Sequence, residues 1–161
     1  MIGHGLAHLV HMAVMGLLVS VVAPGLACAL LRVAPRTDRW ALPAVVALPA
    51  FVVLHAAVTL RAVTVPWLPE AVSMPVLIVG AVLFWAPVLG VRRRLPDAGR
   101  TLYLYAAMPL LDLPAVWLVA TGDRGGGIAM IVAMLPVGLG AAALTWRWVR
   151  AEERRASEVT P

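Results

Sequence analysis

An all-α integral membrane protein is predicted here: a five-transmembrane-helix bundle with the N-terminus outside and the C-terminus in the cytoplasm. Three observations predict it. Of the 161 residues, 62% are hydrophobic and 13% charged, whereas a soluble domain carries about 25% charged residues. The apolar residues are gathered into long runs, giving a mean hydropathy of +0.93. The cations, all 13 of them arginine, lie in the breaks between runs or at their ends. That confinement is a topology signal rather than a phosphate-binding stripe, and it excludes a nucleic-acid partner despite the formal charge of +5.

A membrane helix needs about 20 apolar residues, because about 30 Å of hydrocarbon is crossed at about 1.5 Å per residue. Five runs meet this length. The first, 4–32, ends at a break holding Arg32, Arg36, Asp38 and Arg39. The second, 40–62, is closed by Arg61, Pro66, Trp67, Pro69 and Glu70. The third, 70–91, precedes Arg92, Arg93, Arg94, Asp97 and Arg100. The fourth, 101–121, leads into Asp123, Arg124 and the glycines 125–127, read as a loop that turns tightly into the last helix. The fifth, 126–149, is followed by a polar tail, 151–161. No repeat or long linker interrupts the series, so residues 1–150 are read as a single domain. Residues 1–4 show no positive n-region and no cleavage site follows, so the N-terminus reads as mature structure rather than a signal peptide.

Arginine counts orient the chain. The first break, the third and the tail hold eleven, and the second and fourth breaks hold two; the richer side is cytoplasmic by the positive-inside rule. Trp40, Trp67, Trp117, Trp146 and Trp148 fall near span ends, as an interfacial aromatic belt requires. Pro24, Pro43, Pro49, Pro75, Pro87, Pro109, Pro114 and Pro136 lie within spans and are expected to kink them.

Polar residues inside the spans are few. His4, His8 and His11 share one helix face, and Met12 and Met15 extend the stripe. His55 lies two-thirds along the second span, Asp112 within the fourth, and Met130 and Met134 one turn apart in the fifth. In the predicted orientation all except Asp112, which sits near the middle, fall towards the external side. Imidazole with thioether is a donor set that favours copper, Cu(I) above all. His8 and His11 are the first candidate ligands, His55 and Met130 their completions, and His4, Met12 and Met15 further donors or a delivery track. Asp112 is a proton relay or an acceptor for a ligating histidine. The alternatives are interfacial histidines bonded to carbonyls or water, and methionines that simply fill the core. Cys28, on the opposite side, reads as a small buried apolar residue. No Ser-His-Asp set, catalytic carboxylate pair, phosphate loop or CxxC is present, so the chain is not read as an enzyme.

His8-Leu-Val-His11-Met12, followed by Pro24-Gly-Leu, resembles the first motif of the CtaG family of cytochrome c oxidase assembly factors. Gly80-Ala-Val-Leu-Phe84-Trp85-Ala-Pro87-Val-Leu-Gly90 is similar to a second family segment, and Asp123-Arg-Gly-Gly126-Gly127-Ile-Ala-Met130 to a third. Arg124 stands where the family has Gln, Ile131 where it has Trp, and family members carry further membrane helices before the first motif. The resemblance implies a bacterial inner-membrane protein that handles copper for the catalytic subunit of a respiratory oxidase. It assigns roles to His8, His11, Met12, His55 and Met130, with Asp123 beside the ligands. Two rival expectations are a haem-b subunit with His11 and His55 as axial ligands, and a structural subunit of a respiratory complex that binds no metal. Either could form a homo-oligomer.

Overall fold

A computed structural model describes residues 2–33, 42–60, 67, 69–90 and 94–159, of which 2–4, 70, 158 and 159 are described by backbone alone. Every regular element among them is helical. Helix α1 (Ile2–Leu17) passes through a π-helical turn (Leu18–Val22) into α2 (Ala23–Val33), followed by α3 (Ala44–Thr59), α4 (Glu70–Leu89), α5 (Asp97–Ala120) and α6 (Arg124–Val159). Four segments are long and apolar enough to cross a membrane: Gly5–Val33, Ala71–Leu89, Asp97–Ala120 and Arg124–Ser157.

Three boundaries differ from the sequence-based expectation. Helix α3 has 16 residues, a length of about 24 Å, and residues 40, 41, 61 and 62 of the expected second span lie outside the described residues. The polar tail is not a separate appendage, because α6 continues through it for 36 residues in all. There Arg155 donates to Glu152 at 2.7 Å, one turn away. The glycines 125–127 are the first turn of α6 rather than a loop. They bring neighbours close: a Cβ on Gly127 would lie 2.5 Å from the Ala115 carbonyl oxygen.

The break in the first rod has a chemical cause. Pro24 has no N–H, and its ring clashes with the carbonyl one turn back in a regular α-helix. The backbone widens before it, and the Ala23 N–H bonds the Leu18 carbonyl, five residues back. The Val19 carbonyl therefore loses Ala23 as a donor, and Pro24 supplies none. The Trp85 indole on α4 fills the gap, donating to Val19 O at 2.9 Å. An orphan carbonyl created by one proline is thus satisfied by a tryptophan 66 residues away. Of the other seven prolines in the expected spans, Pro43 stands at the N-cap of α3 and the rest are carried inside helices.

Close contacts set the helix directions. Gly16 and Ala133 meet lower down, where a Cβ on the glycine would sit 2.7 Å from the alanine Cβ; at the upper end His8 lies against Gly126. Helices α1 and α6 are therefore parallel. Gly127 lies against Ala115 and Val119, and Gly138 against Met108, so α5 and α6 are antiparallel. Helix α3 packs on α4 and α5, and α2 on α4. The centre is Phe84, fully buried, with ring centroids 4.9 Å from Phe51 and 5.2 Å from Tyr103. Tyr103 Oη donates to the Phe84 carbonyl at 2.9 Å, tying α5 to α4.

Replacing Trp85 with Phe keeps most of the ring volume and strands the Val19 carbonyl. Unfolding of the detergent-purified variant should show a loss of about 1–3 kcal/mol, the usual cost of an unpaired buried polar group. The same change at Trp67, which is 76% exposed, should leave stability unaltered.

Candidate functional site

The turn between α5 and α6 is built from local rules. Gly122 has φ +111°, a conformation that a side chain disfavours. It lets the Asp123 N–H reach the Leu118 carbonyl at 2.9 Å and the Gly122 N–H reach Val119 at 3.3 Å, the paired bonds that close a helix C-terminus. Asp123 then opens α6. Its Oδ1 accepts from the Gly126 N–H at 3.0 Å, an N-cap that satisfies one of the free amides of the first turn.

Its second oxygen is left for the neighbouring helix. Asp123 Oδ2 lies 2.6 Å from His8 Nε2. An ionised carboxylate only accepts, so Nε2 carries the proton and, in the neutral ring, Nδ1 keeps its lone pair. A carboxylate that fixes the tautomer of an imidazole whose other nitrogen stays basic is the arrangement found around metal-ligating histidines. His8 is exposed and Asp123 half-buried, with side-chain exposures of 46% and 33%. Desolvation pushes the Asp123 carboxyl up, but the His8 and Gly126 hydrogen bonds and the His8 charge outweigh it, holding the group below its ordinary value. Gly126 completes the corner, since a Cβ there would lie 2.5 Å from Asp123 Oδ2 and 2.8 Å from His8 Nε2. By composition Gly126 reads as part of a turn, whereas its N-cap spacing from Asp123 is the local signal that it belongs to the helix.

Below this pair the seam between α1 and α6 is rich in thioether. Met12, Met15, Met130 and Met134 are all buried in the core. His11, one turn on from His8, is half-buried and makes an interaction of its own. The side chain of His4 lies outside the described residues. Among the described residues no three His, Cys, Asp or Glu side chains converge as a metal site would require.

The structure does not bring His55 to this end. It is fully buried, stacked on Phe51 at 5.9 Å and beside the Leu111 backbone, without a hydrogen bond of ordinary geometry to either ring nitrogen. Leu111 lies about 13 Å along α5 from its end at Ala120, where the chain turns into Asp123, so one ion cannot be shared by His8 and His55. Asp112, next to Leu111, has one buried oxygen without a partner, as do the hydroxyls of Thr59 and Thr101. His55 and Asp112 both adjoin Leu111, away from the His8 end, whereas Thr101 lies about 15 Å further along α5. Cys28 is half-buried as a free thiol, far from the His8 end.

No known family pattern and no solved structure matches the chain. It is 32% identical over 119 aligned residues to an uncharacterized protein of Mycobacterium bovis and, to the same extent, to one of Mycobacterium tuberculosis. The match takes in 56% of this chain and 18% of each relative, so the chain spans under a fifth of their length.

Two tests follow from the corner geometry. Gly126→Ala should separate His8 from Asp123, seen as a changed His8 imidazole resonance and reproduced by Asp123→Asn. A carboxylate held below its usual value contributes stability that is fully present above about pH 4 and lost as pH falls through its lowered native value. The stability difference between wild type and Asp123→Asn, followed by chemical unfolding, should therefore be constant near neutral pH and shrink only in that acid range.

Proposed function

We propose that the chain is a multi-pass protein of a bacterial inner membrane, N-terminus outside and C-terminus cytoplasmic, which binds Cu(I) at the His8 end. In this reading it assists copper delivery to a respiratory oxidase, in the manner of the CtaG family it resembles. The observation that carries the reading is the His8–Asp123 pair at 2.6 Å, which leaves Nδ1 of an oriented imidazole basic beside a methionine-lined seam. His8 and His11 supply imidazole nitrogen, and Met12 and Met130 supply sulfur from the two helices. Met15 and Met134 continue the donors inward. Asp123 orients His8 rather than binding the ion. His55 and Asp112 stand outside this ligand set. The protein carries copper and catalyses no reaction.

Five crossings fit this reading, because first and last helices that run parallel require an even number of reversals between them. The arginine distribution then sets the His8 end outside.

Cu(I) titration of detergent-purified protein against a chromogenic chelator, under reducing conditions, tests the proposal. Wild type should hold about one ion, and His8→Ala with His11→Ala should abolish binding. Met130→Leu conserves volume and should weaken binding while leaving the unfolding midpoint unchanged. Unaltered copper stoichiometry in the double histidine variant would overturn the assignment, and a Soret band in the purified protein would replace copper with haem.

A further inference from the structure

At the opposite end of the bundle the start of α5 and the far end of α6 flank an open cavity of about 460 Å³. Its wall carries Arg94, Arg100, Arg147, Arg150 and Arg154 against the single carboxylate of Asp97, with Trp146 and Leu144 beside them. In the sequence these arginines read only as topology determinants. Folding concentrates them: Arg147, Arg150 and Arg154 recur at helical spacing on one face of α6, and α5 and the residues before it contribute Arg94 and Arg100. Glu152, by contrast, is engaged with Arg155 outside the cavity.

The cations are prepared to differing degrees. Arg100 is 8% exposed and pairs with Asp97, yet its buried Nε has no partner. The Arg150 guanidinium lies 4.6 Å over the Trp146 ring, which fixes its plane. Arg147 and Arg154 have no acidic partner among the described residues. Five guanidinium groups facing one carboxylate leave a strong uncompensated positive potential, and guanidinium forks match the paired oxygens of a phosphate.

Depth narrows the source of that phosphate. From Arg124 to Arg147 the last helix rises about 35 Å, against about 30 Å of hydrocarbon. With Asp123 at one boundary, the arginine cavity falls at the headgroup level of the other, and Trp146, 62% exposed, sits where interfacial tryptophans lie. We infer that this cavity is a binding site for the phosphate of an anionic phospholipid headgroup, held between α5 and α6 by Arg100, Arg147, Arg150 and Arg154. The site is independent of copper binding at the His8 end.

The full-length protein in mixed micelles, titrated with phosphatidylglycerol, phosphatidylcholine or inorganic phosphate and read by native mass spectrometry, tests it. Phosphatidylglycerol should bind in preference to phosphatidylcholine. Arg147→Gln with Arg154→Gln should weaken that binding about tenfold or more and leave phosphatidylcholine unaffected. These side chains are exposed, so the variant should unfold at the wild-type midpoint. Arg155→Gln, which removes a charge outside the cavity, should change nothing. Failure of millimolar phosphate to displace the lipid identifies the headgroup as occupant; competitive displacement would assign the cavity to a free phosphate instead and overturn the lipid source. Equal binding of the two lipids, or equal losses in the cavity and Arg155 variants, would overturn the site.

Discussion

Ser20 Oγ on the first helical rod donates to the Ala133 carbonyl on the last at 2.6 Å, one turn from the point where Gly16 leaves no room for a Cβ against Ala133. The rest of the His8 end depends on this close, parallel approach. In hydrocarbon, apolar helices gain little from leaving lipid for one another, so association rests on van der Waals fit and interhelical hydrogen bonds. A small residue on each helix lets the backbones meet, and the serine converts proximity into a directional bond. Further along the same seam the spacing is then right for His8 to reach Asp123, and four methionines fill the space below.

The interior is governed by where backbone polar groups find partners. A buried carbonyl without a partner is costly, so the irregularity before Pro24 must be matched by a donor from elsewhere, and Trp85 provides it. The Tyr103 hydroxyl adds a second directional bond between helices, donating to the Phe84 carbonyl of α4. Against that background the unpaired nitrogens of His55 and the unpaired oxygens of Thr59, Thr101 and Asp112 stand out. Their desolvation is uncompensated by the hydrogen bonds that protect other buried polar groups.

The two ends of the bundle have opposite chemistry. One presents an oriented imidazole, a carboxylate and soft sulfur; the other presents arginines aimed at one cavity. Both are assembled from the first or second turn of one helix and a distant stretch of another. The last helix serves both, carrying Asp123 and Met130 at one end and Trp146 to Arg154 at the other.

The apolar runs and the charged breaks were legible in the sequence because hydropathy summed over 20 residues depends only on composition. Helical class, the long first span, and the depth of Met130 and Met134 relative to His8 follow from that alone, whereas the run of the last helix through the polar tail does not. The spacing of His8, His11, Met12 and Met15 likewise determined their common face, since helical period is a local property. What only the tertiary structure decided is which faces meet. His8 and Asp123 are separated by 115 residues, and nothing local distinguishes that pairing from one between His8 and His55. The glycines after Asp123 look like a flexible turn by composition, yet they are helical because the carboxylate caps their amides. The arginines looked like mere markers of sidedness until α5 and α6 folded together. Contacts between distant helices are set by the shapes of both partners, and a linear pattern describes one partner at a time.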